Sequence, residues 1–293
     1  MDSVIFIPTR GRPLEQKTLR YIPRIIRQHV IVVCDPGEQN VIRSEWKDSI
    51  KDVIEVGVCN LSQKRQRCIE LSEQDHIIFA DDNCSFHTIH PSDKGAITKF
   101  PLKGLIEKNF SYKARMYHIG RLFDLIDQDL KSEEFGMIGV AHRRDHMSVV
   151  RETPYPAFKL NERFYGIWGI NRVKMNALPN APKFDDVVLK QDFYMILQFL
   201  TNGIPVKKIY EYAFDKTGGA NMKGGCSTYR TIELLKDEAY RLKGMFPAFV
   251  HLKRKSAKSW GGINTEYIID VTIDCKKAYE YGCQKDKHPK GFI

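Results

Sequence analysis

The residues with the most chemical content are Phe79-Ala80-Asp81-Asp82-Asn83-Cys84-Ser85-Phe86. An apolar run that ends in two adjacent carboxylates places like charges at the end of a buried strand, and a divalent cation or a basic ligand relieves their repulsion. The same residues also suit a strand-end turn in which Asp and Asn cap a helix. A second cluster is Val4-Ile5-Phe6-Ile7-Pro8-Thr9-Arg10-Gly11-Arg12, a strand entering a loop with two guanidiniums and a glycine. Such a loop allows close approach by an anionic nucleotide. Asp35 follows the run Val30 to Cys34, and Arg65 precedes the acidic strand on a polar helical segment.

These residues share a site only if the chain brings their strands side by side. Short β-branched runs alternate with helical patterns, predicting strands at Val4 to Ile7, Val30 to Cys34, Val53 to Val58 and His76 to Ala80. Helices are predicted at Leu14 to Gln28 and Leu61 to Ser72. The alternation implies an α/β fold with a largely parallel sheet, which binds ligands at the carboxyl ends of its strands. Further on, Met116, Ile119, Phe123, Ile126 and Leu130 share a helical face, and Met137 to Ala141 reads as a strand. Phe193, Ile196, Leu197 and Leu200 have core-facing helical spacing. Val206 to Phe214 and Tyr267 to Ile273 read as strands, and Tyr229 to Leu242 as a helix. With no internal repeat or low-complexity linker, one continuous domain is expected.

In this order of motifs the chain resembles the GT-A glycosyltransferases, the nucleotide-diphospho-sugar fold: Pro-Thr-Arg after the first strand, Asp after the second, a helix Arg, then a strand into an acidic pair. More narrowly, Ile7 to Arg12 with the acidic motif is similar to the phage and kinetoplastid DNA-base glycosyltransferases, which decorate hydroxymethylated pyrimidines. The resemblance spans residues 3 to 215 and weakens beyond Asp215. It implies a GT-A-like, mostly parallel central sheet flanked by helices. One domain, 1–293, would comprise a nucleotide-sugar-binding half (1–90), an acceptor-facing half (91–215) and a basic C-terminal extension (216–293).

Carried over by position, Pro8, Thr9, Arg10 and Asp35 would surround the base and ribose of a UDP-sugar, with Arg65 near the base and Arg12 near the diphosphate. Asp81 would meet the ribose, and Asp82 would hold Mn²⁺ or Mg²⁺. Asn83 stands where the family has a second metal-binding Asp, and its amide oxygen adds no charge. A late histidine, His251 or else His142, would complete the metal shell. Asp192 matches the acidic residue that faces the acceptor hydroxyl and acts as general base if the enzyme inverts, although Gln191 replaces the usual Glu. Helix capping also suits Asp192. Asp185 and Asp186 are weaker substitutes.

The acceptor candidates are basic or aromatic. Trp168, within Phe164-Tyr165-Gly166-Ile167-Trp168-Gly169, suits either a platform against a sugar or flipped base, or a core strand with glycine kinks. Lys216 to Gly225 reads as a mobile, glycine-rich loop. Arg143 and Arg144, and the flexible basic segment with Lys253, Arg254, Lys255, Lys258 and Trp260, suit phosphate contact and base stacking. The 46 Lys and Arg exceed the 36 Asp and Glu by ten, which fits a polyanionic partner, double-stranded hydroxymethylated DNA, or a soluble surface alone. Seven scattered cysteines, none in a Cys-x-x-Cys pair, argue against a zinc site and for a reducing compartment. No apolar run approaches the roughly 18 residues of a membrane span. The start Met1-Asp2-Ser3 lacks the basic flank of a secretory signal. The expectation is a cytoplasmic, metal-dependent transfer from a UDP-sugar to a hydroxymethylated pyrimidine in DNA. A glycan or protein acceptor, or a non-enzymatic nucleic-acid-binding module, stays open.

Overall fold

The computed structural model describes residues 1–46, 48–89, 102–104, 111–149, 152, 154–216, 225–256 and 267–285. β1 (Val4–Pro8) and β2 (Val30–Cys34) are β-branched runs buried almost throughout, as parallel strands covered on both faces require. Between them the expected single helix divides into α1 (Lys17–Tyr21) and α2 (Arg24–Arg27). Pro23 lacks an amide hydrogen and forces Ile22 into an extended conformation, at φ −67° and ψ 129°. α3 (Gln39–Trp46) leads to β3 (Asp52–Glu55), α4 (Leu61–Leu71) and β4 (His76–Ala80). Asn60 and Gln63 start α4 with a reciprocal capping box.

The chain continues through β5 (Cys84–Ile89), β6 (Leu102–Gly104), α5 (Tyr112–Lys131), β7 (Met137–His142) and α6 (His146–Val149). Next come β8 (Phe158–Leu160), β9 (Ile167–Asn171), α7 (Arg172–Asn176), α8 (Gln191–Leu200) and β10 (Val206–Lys216). α9 (Ile232–Met245), the antiparallel hairpin β11 (Val250–Ser256) and β12 (Tyr267–Ile273), and α10 (Cys275–Lys285) complete the described elements.

Ten strands form one sheet in the order β3-β2-β1-β4-β9-β7-β10-β5-β6, with β8 pairing beside β10. β1 to β4 are mutually parallel. β9 runs against β4 and β7, β10 runs with β7, and β5 and β8 run against β10. The fold is therefore α/β with a large central sheet in which all strands except β5, β8 and β9 point the same way.

Alternation along the strands supplies two cores. Phe6 and Phe79 face a layer holding α8, α9, α10 and the hairpin, whereas Ile5, Ile7 and Ile78 face a layer holding α5. Within 164–169, Phe164 and Trp168 belong to the first core and Ile167 to the second; Trp168 is fully buried, with ring centroids 4.6 Å from Phe79 and 5.5 Å from Phe184. The acceptor platform expected at Trp168 is thereby corrected, because this indole has no surface to offer. Likewise 250–256, expected to be flexible, is a strand: Val250 and Leu252 pack into the core while its basic residues face outward. Among the described residues no helix is long and apolar enough to cross a membrane.

Gly282 seats α10 on the end of α8. A Cβ there would lie 2.2 Å from the Leu200 carbonyl oxygen and 2.3 Å from the Gly203 nitrogen, and backbone cannot yield cheaply. Gly282→Ala is expected to destabilise by about 1–3 kcal/mol in chemical denaturation. Gly120→Ala, where a Cβ meets nothing within 4 Å, should be neutral or stabilising by up to about 1 kcal/mol.

Candidate active site

Parallel pairing of β1 with β4, in the register Val4 with Ile77 and Phe6 with Phe79, delivers the loop after Pro8 beside the turn after Ala80. Pro8 itself pairs with Val33 of β2. The turn is pinned from α1: the Thr18 amide donates to the Asp82 carbonyl at 3.0 Å, its hydroxyl to the Asp81 carbonyl at 2.5 Å, and the Cys84 amide to the Thr18 hydroxyl oxygen at 2.9 Å.

Each side chain of the acidic pair has its own cationic partners. Arg12 Nη2 lies 2.9 Å from Asp82 Oδ1, and the Thr9 hydroxyl donates to Asp82 Oδ2 at 2.7 Å. Arg65 Nη2 lies 3.1 Å from Asp81 Oδ1, while Lys216 Nζ, at the end of β10, is ion-paired to Asp81 Oδ2. Alongside, Asp35 is held by Arg10 at 3.2 Å and by buried Lys64 at 2.5 Å, and Lys64 also donates to the Thr9 carbonyl at 2.6 Å. Five cations thus face three carboxylates in one ion-paired cluster, with Glu38 at its rim accepting from the Gly11 and Asp35 amides. The positive excess suits a diphosphate.

The two carboxyls titrate in opposite directions. Burial alone would raise Asp81, but Lys216 and Arg65 outweigh it and hold Asp81 below the usual carboxylate range. Burial pushes Asp82 up to about 6 against the pull of Arg12 and Thr9. The cause is removal from water rather than a shortage of cations, since Arg12 is ion-paired to the same carboxylate. Mg²⁺ and Mn²⁺ take one or two protein carboxylates and complete their shells with water and phosphate oxygens. Asp82 fits that pattern, with Asn83 next in the same turn.

His251 does not belong to this set. It lines a separate cavity of about 560 Å³ together with Arg144, Arg163, Lys208 and Lys276. The carboxylates Asp145, Glu162 and Asp274 line the same cavity, so the structure places the expected ligand His251 with a different set of acidic residues from Asp81 and Asp82. Among the described residues no group of three or more His, Cys, Asp or Glu is arranged to hold a metal. The other late histidine, His142, lies 3.2 Å from Asp215 and stacks on Tyr165, beside Lys216. Burial lowers its pKa and Asp215 opposes the shift.

No family model matches the chain, and no curated protein matches it. Solved structures similar to it include glucosyl-3-phosphoglycerate synthase from Mycobacterium tuberculosis in complex with Mg²⁺ and UDP, at 9% identity, TM-score 0.47, covering 92% of this chain and 86% of that one. TarS 1-349 from S. aureus in complex with UDP-GlcNAc shares 10% identity at TM-score 0.47, over 83% and 67% of the two chains. A mannosyltransferase from Pyrobaculum calidifontis with GDP-Man and Mn²⁺ shares 14% at TM-score 0.43, over 70% and 53%.

Asp192 stands in the first turn of α8, where the helix dipole favours a carboxylate. Lys190, in left-handed conformation at φ 64°, turns the chain into that helix. Burial lowers the Lys190 pKa and the charge of Asp192 opposes the shift. Asp185 and Asp186 lie in a preceding 3₁₀ turn, where Asp186 accepts from the Tyr194 hydroxyl at 2.7 Å. Arg143 lies 3.8 Å from Asp215, next to Lys216, and Arg144 is exposed at the cavity. Lys253, Arg254 and Lys255 are exposed on β11, where Lys255 lies 3.6 Å from Asp270 and Arg254 covers the Tyr267 ring at 4.5 Å. Lys258 and Trp260, and the loop 217–224, lie outside the described residues.

Three participants were not read from the sequence. Lys64 sits in a helix whose polar residues Ser62, Lys64, Arg65 and Gln66 are all buried, so a low-hydropathy segment reads as solvated when it faces a charged site. Lys216 belongs to a stretch read as a loop, and Tyr229 to a predicted helix. Tyr229 instead accepts from the Leu61 amide at 3.1 Å and lies under Arg10, while the Gly225 amide donates to the Arg10 carbonyl. Residues from 216 onward thus reach the site that residues 1–90 build.

Removing Lys64 leaves a buried Asp35 with only Arg10, and Lys64→Met is expected to cost about 3–5 kcal/mol by urea denaturation. The raised pKa of Asp82 has a definite sign. The folded state holds that proton more tightly than the unfolded chain, so its contribution to stability is full below the ordinary value near 3.8 and is lost as pH rises through about 6. The stability of Asp82→Asn relative to wild type should therefore increase between pH 4 and 6 and level off above, as measured by urea melts across pH.

Proposed function

We propose that the chain is a GT-A-type glycosyltransferase that moves a sugar from a UDP-sugar, with Mn²⁺ or Mg²⁺ at Asp82. The observation that carries this reading is the convergence, at the carboxyl edge of the sheet, of the Asp81-Asp82 turn with Thr9, Arg10, Arg12, Asp35 and Arg65. In the transfer, the acceptor oxygen bonds to the anomeric carbon, the bond from that carbon to the diphosphate breaks, and the nucleoside diphosphate leaves with the electron pair. Charge grows on the departing phosphates, and fixed cations at that place lower the barrier. Arg12 and Arg65 supply such charge; the bound divalent ion adds Lewis-acid neutralisation. Asp35, held by Arg10 and Lys64, is assigned to the nucleoside. Asp192 is assigned to the acceptor hydroxyl, as general base for inversion or as its orienting group for retention.

For the acceptor we propose a hydroxymethylated pyrimidine in DNA. Its support is the run of exposed cations on β11, with Arg143 at Asp215, next to Lys216, and Arg144 exposed at the neighbouring cavity, set in a chain of net charge +10. These would hold phosphates without reading sequence, and the target base would have to leave the stack to reach the sugar. The working division of the chain is then 1–90 for the donor and 91–215 for the acceptor, with 216–293 as a basic extension that contributes to both.

The test is incubation with UDP-sugars, Mn²⁺ and hydroxymethylcytosine DNA, followed by digestion and nucleoside mass measurement. A hexose or pentose mass increment is expected, and Asp82→Ala should slow its formation by about 100-fold or more. Donor hydrolysis without a DNA adduct would retain the transferase and reject this acceptor.

A further inference from the structure

The acidic turn is already engaged by the protein's own cations. Asp81 carries Lys216 and Arg65 on its two oxygens, and Asp82 carries Arg12. Lys216 differs from the arginines in two respects. Its side chain retains 29% exposure, against 4% for Arg65 and 14% for Arg12. It also reaches the turn from the last residue of β10, where Lys216 pairs with Cys84, lying above the Tyr165 ring at 5.0 Å. It is an ammonium at the open side of a partly buried carboxylate.

We infer that Lys216 is a nucleotide-binding residue that works by exchange: it neutralises Asp81 in the free protein and shifts to the phosphates of a nucleoside diphosphate when that ligand arrives. The ligand class rests on the transferase reading above. An ammonium is a compact point charge that rotates between partners, whereas the Arg65 guanidinium is fixed between Asp81 and the faces of Phe79 and Trp168, at 5.9 and 5.1 Å. Exchange of Lys216 leaves Asp81 still paired to Arg65, so no buried charge is stranded. The released oxygen of Asp81 then becomes available to a cation at the turn. Nucleotide and divalent ion consequently assist each other, since each takes one side of an ion pair that otherwise closes the site.

The experiment is calorimetric titration with UDP in EDTA, UDP with Mn²⁺, and Mn²⁺ alone, for wild type, Lys216→Met and Lys216→Arg. Wild type should bind UDP in EDTA, and Lys216→Met should weaken that binding about tenfold or more, the loss of one charge-assisted contact. For Mn²⁺ alone Lys216→Met should bind more tightly than wild type, because Asp81 has lost a competitor; Lys216→Arg should keep the pair with Asp81 and bind UDP in EDTA more weakly than wild type, because a guanidinium exchanges partners less readily. A structural role predicts both affinities falling together, so their opposite movement is the signature. Lys216→Met that matches wild type in EDTA, or that binds Mn²⁺ no more tightly than wild type, overturns the exchange while leaving the donor site standing. Wild type that binds UDP in neither condition rejects the donor reading as well. Were Lys216→Met to lose its fold, Lys216→Arg would still decide the question, since UDP binding in EDTA equal to wild type overturns the exchange.

Discussion

Two carboxylates on successive residues at the end of a buried strand would repel each other by about 3 kcal/mol at an effective dielectric constant near 20, before the larger cost of removing both from water. Most of the site's architecture answers that constraint. Arg12 arrives from the loop after β1, Arg65 from α4 and Lys216 from β10, so three distant segments are tied to one turn. The compensation is unequal: Asp81 is held below its ordinary range and Asp82 is raised to about 6. The two carboxylates thereby differ: Asp81 stays firmly charged, whereas burial makes the ionised form of Asp82 costlier despite its pair with Arg12.

The same constraint explains the order of the sheet. β1 and β4 must be parallel neighbours for Thr9 to reach Asp82, and β2 must lie on the other side of β1 for Asp35 to meet Lys64 and Arg10. Lys64 joins the two halves of this arrangement, donating both to the Thr9 carbonyl and to Asp35 from a fully enclosed position. The antiparallel strand β9 then separates β4 from β7 and β10. β10 extends far enough past the β7 pairing for Lys216 to reach Asp81. Beyond it lies a cavity where Lys208 is buried between Asp145 at 2.8 Å and Glu162 at 3.7 Å, while Arg144 and Arg163 stand exposed along its walls.

The first four parallel strands were legible because β-branched runs buried on both faces are nearly unbroken in sequence, and their carboxyl ends located Thr9, Asp35 and Asp81 together. Elements whose burial depends on partners far along the chain were less visible. β5 begins within the acidic motif itself, β8 and β6 are three residues long, and α10 depends on Gly282 meeting α8. Charge misled in both directions. Lys64 and Arg65 are buried polar residues in a helix of low hydropathy, whereas the basic stretch after Val250 is half of a regular hairpin. Trp168 shows the limit of composition: an indole beside glycines suits a sugar platform or a packed core, and only the neighbouring rings of Phe79 and Phe184 decide for the core.

As proposed above, the carboxyl-edge cluster would take a nucleoside diphosphate, with a divalent ion at Asp82. A crystal structure of the chain with UDP and Mn²⁺, with anomalous scattering recorded for manganese, tests it most directly. An anomalous peak is expected within coordinating distance of Asp82, with the diphosphate between that peak and Arg12 and the nucleoside beside Asp35. UDP seated in the Arg144 cavity, or manganese bound away from the Asp81-Asp82 turn, would contradict it.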